Sequence, residues 1–264
     1  MTTNIEFAPE TDATNSNETT PWAKPKVSTY QDLVIKPEYA SRRLRFEPGT
    51  TWLRIVPAIH PTIHSWMMGL HVLNFQGGRF AHPKTLRKSA RGVFDYAYTW
   101  AKEHHPESLY SKENKTGVRL LTDPMCIYWA LVEQEGKTVA RLVLGSGYAG
   151  TRGGAPGLGY QLWSLTQEHD ENGKVVSEPA HPERGALVSV TRTQAKGAKY
   201  PSYGLRLGRQ PAPVNSQLAK MAPEEVAALC PLENVVRELS VEEEWQCLAK
   251  IIAPDIVAKI RSDI

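Results

Sequence analysis

The sequence predicts a mainly β protein with helical additions, organised around a small β-barrel. Three observations lead to this prediction. The stretch 42–57 contains a strand with alternating side chains, which Gly49 precedes and Pro57 ends. Two pairs of β-rich runs follow, each joined by a short polar connection typical of a hairpin. From residue 216 onward the chain becomes rich in Ala, Glu and Leu, which favours helices.

The first predicted strand runs from Thr51 to Val56. Period-two alternation puts Trp52 and Arg54 on one face of this strand and Leu53 and Ile55 on the other. An arginine on a half-buried strand is costly unless its face meets water or an anion. We therefore expect the outer side of the barrel to carry a cationic groove.

Size, cysteine content and charge limit the class of protein. The chain has 264 residues and a mass of 29.4 kDa, which suits one medium domain with appendages or two small domains. Its 3 cysteines are widely spaced and predict neither a disulfide framework nor a zinc site, so a cytoplasmic location is expected. No apolar run is long enough to span a membrane, and the N-terminus lacks the apolar core of a signal peptide.

The net charge of +3 is unevenly distributed along the chain. Residues 41–209 carry a net +10, whereas residues 1–40 carry −3 and residues 210–264 carry −4. A basic middle between acidic ends is typical of a protein that binds a polyanion and whose own termini compete for the same surface. A solvated surface with chance unevenness is the alternative.

Composition divides the chain into three parts. Residues 1–28 are poor in apolar side chains and are predicted to be a disordered acidic segment. Residues 29–212 form the predicted core, in which 76–122 is an excursion out of the barrel. Residues 213–264 form a helical segment, with helices predicted at 223–229, 233–239, 241–252 and 254–264 and a capping box at 240–243.

Within the core, a second strand is predicted at 65–75, with Gly69 as a bulge. The excursion then holds a run at 79–91 with 5 Lys or Arg and no acidic residue, a helix at 92–105 and a polar loop at 106–122. One hairpin covers 124–144 and turns at Glu135-Gly136, and a second joins 185–194 to 200–209. Between them, 145–159 holds 7 glycines and is interpreted as a flexible connector, followed by a short helix near Tyr160.

Aromatic side chains lie beside basic ones at several places in the core, including Arg79/Phe80 and Arg91/Phe94. Proteins that bind single-stranded nucleic acid need both types. Cations follow the phosphates, and flat rings stack on unpaired bases at about 1–3 kcal/mol per base. Burial in the core is the alternative for each ring. We expect Trp52 and Trp129 in or near the core, and contact with a ligand stays open for Phe80, Tyr96, Tyr98 and Tyr203.

A catalytic or metal site has weaker support. Histidines can ligate a metal, and His60, His64, His71 and His82 are the candidates, but such sites usually include cysteine or acidic partners at close spacing. The glycine-rich run lacks the Lys-Ser/Thr ending of a phosphate-binding loop. No nucleophile elbow, acidic metal triad or catalytic Cys/His pattern occurs. We therefore predict no enzyme activity, no catalytic residue, no bound metal and no cofactor.

The order of these features resembles the helix-destabilising, single-stranded DNA-binding proteins of tailed phages. The resemblance rests first on Gly49-x-x-Trp52-x-Arg54-Ile55-Val56-Pro57, His71-x-x-x-Phe75 and Phe80-Ala81-His82-Pro83-Lys84-Thr85. It continues through the hairpin at 127–144, the helix near Tyr160 and the stretch 187–206, so it spans about residues 40–212. It implies a five-stranded OB-type barrel with an inserted excursion and a C-terminal helical segment.

The chain departs from that family in three places. Several relatives hold zinc in the excursion, but here His82-Pro83 occupies the Cys-Pro-like position and no cysteine follows before Tyr98. We therefore expect aromatic packing in place of zinc. Relatives end in an acidic tail that recruits replication partners, whereas this chain ends in helices, so the segment 213–264 is the candidate contact for replication or recombination proteins. The family's N-terminal self-association segment is basic, and residues 1–28 are not.

The resemblance implies a protein that coats and protects single-stranded DNA, without sequence preference, in replication, recombination or repair in a bacterial or phage-infected cell. A metal-dependent nuclease or hydrolase that uses the histidines and a virion or assembly protein are the alternatives. The predicted phosphate contacts are Arg42, Arg43, Arg54, Arg79, Lys84, Arg87, Lys88, Arg91, Arg192, Lys196 and Lys199. The predicted stacking residues are Trp66, Phe75, Phe80, Tyr96, Tyr98, Tyr200 and Tyr203.

Overall fold

The computed structural model describes residues 30–58, 66–75, 78–111, 114–115, 117–150, 156–168, 171–173, 178–197 and 201–264. The strands are β1 Gln31–Leu33, β2 Gly49–Ile55, β3 Met67–Phe75, β4 Gly78–Ala81, β5 Thr122–Gln134, β6 Lys137–Ser146, β7 Ala186–Thr193 and β8 Ser202–Pro211. The helices are α1 Pro37–Ala40, α2 Val93–His104, α3 Leu158–Leu165, α4 Val214–Leu218, α5 Pro223–Ala227, α6 Leu232–Val235, α7 Val241–Leu248 and α8 Pro254–Ser262. Within these ranges, no helix has both the length and the apolar character that a membrane crossing requires. The predicted disordered segment 1–28 lies outside the described residues.

The described strands form one sheet in the order β1-β4-β3-β5-β2-β7-β8, with β6 on the second edge of β5. The 13-residue strand β5 is central because it is long enough to pair with two strands along one edge. Its first half pairs with β3 and its second half with β2, while β6 runs along the opposite edge. All these pairs are antiparallel except β1 with β4, which is parallel.

The predicted β-rich architecture with helical additions agrees with this sheet. The pairings among the described residues give eight strands in an open arrangement, and none of them joins β6 to β8. The sheet is larger than five strands because β3 and β4 extend it along the first half of β5. Part of the predicted excursion, from residue 78 to 81, is therefore a strand of the same sheet.

Local sequence signals explain where several elements turn or begin. Glu135 and Gly136 both have left-handed backbone angles, with φ of 51° and 72°, as the tight turn of a two-residue hairpin requires. The predicted hairpin at this position is confirmed. Helix α7 begins with the predicted capping box, in which Ser240 N donates to Glu243 Oε2 at 2.8 Å and Glu243 N donates to Ser240 Oγ at 3.3 Å.

Three apolar clusters hold the helices on the sheet. The first lies beneath α3, on the face of β2, β5, β6 and β7 that carries Leu53, Tyr128, Val143 and Val188. The second covers the opposite face of β5 and β6, where Trp129 and Leu142 meet side chains of α4 and α6. The third places α2, α7 and α8 on β3 and β4. The helical segment 213–264 therefore packs on the sheet at two places, over β5 and β6 and over β3 and β4.

Candidate nucleic-acid interface

A row of three paired residues crosses one face of β2, β7 and β8; its two outer members are exposed, and the serine between them is buried. Trp52 of β2 pairs with Ser189 of β7, and Ser189 pairs with Arg206 of β8. Side chains of directly paired residues lie on the same face, so the small serine separates the indole from the guanidinium. Trp52 is 53% exposed, and Arg206 is exposed as well. The opposite face of the same strands forms the apolar cluster beneath α3.

The neighbouring row on this face consists of small side chains. Thr50 pairs with Thr191, which pairs with Gly204, and the two threonine hydroxyl oxygens lie 2.9 Å apart. These residues leave the surface flat around the indole. We call the six residues of the two rows the outer strand face: Thr50, Trp52, Ser189, Thr191, Gly204 and Arg206.

The outer strand face carries one cation, Arg206, and a second lies in the connection between β7 and β8. Arg206 forms no ion pair with any described residue, and Lys196 in the connection is exposed. Gly197 turns the chain there with a φ of 83°. Lys199 and Tyr200, both predicted to contact DNA, lie outside the described residues. One face thus carries a flat ring, hydroxyl groups and a guanidinium without an ion pair to any described residue, which suits a ligand with flat apolar rings on an anionic backbone.

Sequence reasoning missed both main residues of this face. Trp52 was expected in or near the core, and the structure shows that this expectation is wrong. Arg206 was absent from the predicted phosphate contacts. The alternation of Ser189, Thr191 and Thr193 with valines in β7 was the available signal. It marks one polar, small-residue face on the strand that pairs with Trp52.

Arg54 is buried, which contradicts its predicted role as a phosphate contact. Its side chain is 1% exposed and donates hydrogen bonds to the main-chain oxygens of Ala212, Pro179 and His181 at 2.5, 2.8 and 2.5 Å. Burial lowers the pKa of this guanidinium. A charge in the interior needs such partners, because an unpaired buried charge is very costly. Arg54 therefore fixes the segments 179–182 and 212 to β2. Its side chain does not face a solvent-exposed groove, contrary to the prediction.

Phe75 and Phe80 were predicted to stack on bases, and the structure contradicts this as well. Phe75 is 7% exposed and Phe80 is fully buried. The ring centroid of Phe80 lies 5.2 Å from that of Phe94 on α2, in an edge-to-face arrangement. These strands face the helices at this end of the sheet, so alternation places the phenylalanines in the third apolar cluster.

Three of the predicted phosphate contacts near the first strand are paired with carboxylates. Arg42 Nη1 lies 2.9 Å from Glu225 Oε2 on α5. Arg43 forms an ion pair with Asp32, and Arg79 Nη2 lies 2.7 Å from the same carboxylate. Although burial raises the pKa of Asp32, the two arginines hold it below its ordinary value. These arginines join terminal segments to the sheet and are not free cations in this structure.

The basic run 79–91 precedes α2, and only part of it lacks acidic partners among the described residues. Lys88 is exposed, Lys84 is half-buried, and neither forms an ion pair with a described residue. Arg87 pairs with Glu238 at the protein surface. The guanidinium of Arg91 lies over the ring of Tyr96, 4.6 Å from its centroid. Tyr98 packs against the third apolar cluster.

Three further predicted contacts, Arg192, Tyr203 and Trp66, are half-buried. Tyr203 is half-buried, and its ring centroid lies 5.8 Å from that of Phe46. Arg192 pairs with Tyr203 across the strands. Trp66 is half-buried and lies edge-on to Tyr128, with 6.0 Å between ring centroids. The structure thus brings Arg192 and Tyr203 together, while Trp66 lies against a core side chain.

The histidines do not form a shared site within the described ranges. His71 is exposed on β3, and His82 is fully buried with Nε2 2.9 Å from Asp95 Oδ2. His60 and His64 lie outside the described residues. In the part of the chain that the structure describes, no group of three or more His, Cys, Asp or Glu side chains is arranged to hold a metal.

Comparison with known proteins gives no assignment. The chain matches no protein-family model and no protein with curated annotation. Any function must therefore be inferred from the chemistry of the surfaces described above.

Proposed function

We propose that the protein binds single-stranded DNA without sequence preference. The observation that carries this proposal is the row Trp52, Ser189 and Arg206, which sets an exposed ring two strands away from a cation that has no acidic partner among the described residues. An indole can stack on any base, and a guanidinium can bind any phosphate, so neither group selects a sequence. The base faces needed for stacking are accessible in a single strand and hidden in a duplex.

The strand order supports an OB-type core within the larger sheet. Five strands run in the order β6-β5-β2-β7-β8, which is the order of a five-stranded Greek-key barrel when β2 is taken as its first strand. The helix between its third and fourth strands is then α3, which packs against both β6 and β8. OB folds bind oligonucleotides with the loop between their last two strands, here residues 194–201. The insertion between the first and second strands would then cover 56–121.

The same assignment explains why the outer strand face is the favoured surface. OB folds commonly also use the outer face of their second and third strands, here β5 and β6. In this chain that face carries Trp129, Leu131 and Leu142 and is covered by α4 and α6. The open part of the outer surface is therefore the neighbouring face of β2, β7 and β8.

The proposed role is the protection of exposed single strands in replication, recombination or repair, as in the helix-destabilising phage proteins that the sequence resembles. We place it in the cytoplasm of a bacterial or phage-infected cell. Replication or recombination proteins would meet the helical segment 213–264 on its solvent side, where Val226 and Val241 are exposed.

Fluorescence anisotropy of labelled oligo-dT, measured at two salt concentrations, tests the proposal. We expect saturable binding that weakens as salt increases, because each phosphate contact releases counterions. Unlabelled single strands should compete, whereas duplex DNA of the same length should compete poorly. A nuclease assay on the same samples, with divalent metal added, addresses the hydrolase alternative. The absence of binding at low salt, or metal-dependent cleavage, would overturn the proposal.

A further inference from the structure

The gap between β6 and β8 is filled by two pieces of the chain. Residues 42–44 run beside β6, where Leu142 N donates to Arg42 O and Leu44 N donates to Leu142 O, both at 2.8 Å. On the other side of the gap, Phe46 contacts Tyr203 of β8. Helix α3 completes the closure, because Gln161 Nε2 donates to Tyr203 O at 2.8 Å. We call this region the seam.

Helix α3 is held firmly on the sheet by close glycine contacts. A Cβ atom at Gly157 would lie 2.3 Å from Ser146 O, and one at Gly159 would lie 2.2 Å from Cys126 Sγ. Only glycine permits this approach, so these two positions are packing residues. The predicted flexible connector is therefore wrong at its C-terminal end, while residues 151–155 lie outside the described ranges.

The outward side of α3 carries a pair of aromatic rings. Trp163 is 45% exposed, and its ring centroid lies 5.7 Å from that of Tyr160. Residues three apart on a helix are neighbours on one face. Because α3 is fixed on β6 and β8, the pair is a preorganised apolar platform beside the edge of β8.

Two arginines accompany the rings of the seam. Arg45 is exposed next to Phe46, and Arg192 pairs across the strands with Tyr203. Neither arginine forms an ion pair with another described residue. The exposed carboxylate of Glu47 is the nearest acid along the chain, two residues from Arg45. The seam thus places two arginines beside half-buried rings, close to a helix that carries the exposed Trp163.

We propose that Tyr160 and Trp163 form a second base-stacking subsite for the same nucleic-acid strand. The inference rests on the proposed function. The strand would cross the outer strand face from Trp52, turn around the edge of β8 at the seam, and reach Tyr203, Arg192 and α3 on the opposite face of the sheet. Two inter-strand spacings are about 10 Å, and a helix is about 10 Å across, so the path is about 20 Å. It lies within the roughly 4–16 nucleotides that one OB fold covers.

Anisotropy titrations with a short and a long oligo-dT, of about 5 and about 15 nucleotides, test this path. For Trp163→Ala we expect about 5- to 100-fold weaker binding of the long strand, the range for the loss of one stacked base, and little change for the short strand. Trp163→Phe should restore most of the long-strand affinity, because phenylalanine keeps a flat ring. Tyr110→Ala is the matched control, since Tyr110 is also an exposed aromatic residue, at 48%, but does not belong to α3.

The failure of this inference can be told apart from the failure of the proposed function. If Trp163→Ala binds the long strand like the unaltered protein while Trp52→Ala binds it poorly, the second subsite is wrong and the function stands. Equal losses on the short and long strands for Trp163→Ala would also overturn the path. If the unaltered protein binds neither strand, the proposed function itself is wrong. Circular dichroism melting of each variant confirms that the fold is kept.

Discussion

Trp52 of β2 and Arg206 of β8 lie on one face of the sheet, separated by Ser189 of β7. Neither side chain is needed for the apolar clusters, because the opposite face of these strands supplies Leu53 and Val188 to the core. An indole left exposed on a strand forgoes the free energy that its burial would contribute, whereas a small polar residue at the same position would lose little. Its position two strands from a guanidinium that forms no ion pair with a described residue is the observation on which the proposed nucleic-acid binding rests.

Arg54 is expected to matter for stability. Arg54→Met should lower the free energy of unfolding by about 2–4 kcal/mol, because it leaves buried carbonyl groups without their charged donor. Urea denaturation measures the loss, and Arg184→Met is the control, since that side chain lies at the surface. If the variant is as stable as the unaltered protein but binds DNA poorly, Arg54 contacts DNA and its structural role is contradicted.

Glu244 should make the stability depend on pH. Its carboxylate is 2% exposed and accepts a hydrogen bond from Val93 N at 2.8 Å, and burial raises its pKa to about 7. The unfolded carboxyl has a pKa of about 4.3, so this stabilising contribution is complete below that pH and is lost as the pH rises through about 7. His82 opposes this trend, because burial lowers its pKa and its contribution is lost as the pH falls.

Replacement of Glu244 isolates its part of this dependence. Glu244→Gln keeps an acceptor for Val93 N and removes the charge, so it should be roughly 1–3 kcal/mol more stable than the unaltered protein at pH 8. The advantage should shrink toward pH 5. Urea denaturation at both pH values measures it, with the exposed Glu233→Gln as the control. An equal effect at both pH values would contradict a raised pKa at Glu244.

The two glycines at the start of α3, Gly157 and Gly159, should tolerate no side chain. Gly159→Ala is expected to destabilise the protein by about 1–3 kcal/mol, because the new Cβ would overlap Cys126 Sγ. Gly69→Ala is the matched control, since no atom lies within 4 Å of a Cβ built there. Thermal melting of both variants compares them. If Gly159→Ala melts like the control, α3 is not held as closely as described.

The lysines of the basic run before α2 should contribute to the salt dependence of binding. Changing Lys84 and Lys88 together to Ala should reduce the slope of log affinity against log salt by about 1.4, if each contacts one phosphate of a single strand. Titrations of oligo-dT at several salt concentrations measure the slope. Lys259→Ala on α8 serves as the control. An unchanged slope would place residues 79–91 outside the binding path.

Much of the secondary structure could be predicted because the signals are local. Glu135-Gly136 specifies its own turn, and Ser240 with Glu243 specifies the start of α7. The helix predicted at 92–105 is observed as α2, Val93–His104. Sheet extension could not be predicted, because it depends on β5 pairing with two strands that are distant in sequence.

The site was harder to predict. Alternation along a strand assigns each side chain to one of two faces, but it does not show which face other segments of the chain bury. Arg54 and Trp52 share a face by alternation, yet the chain at 179–182 and 212 covers only Arg54. Phe80 lies in a basic stretch, but α2 folds back over it. These outcomes depend on segments far along the chain, so the local sequence around each residue carries no signal for them.

The most direct test of the central claim is the affinity of Trp52→Ala for oligo-dT, measured by anisotropy beside Trp52→Phe and Tyr110→Ala. The loss of one stacked base predicts about 5- to 100-fold weaker binding for the alanine variant, near-complete recovery with phenylalanine and no change for the Tyr110 control. If Trp52→Ala binds oligo-dT as tightly as the unaltered protein, the outer strand face is not the nucleic-acid interface.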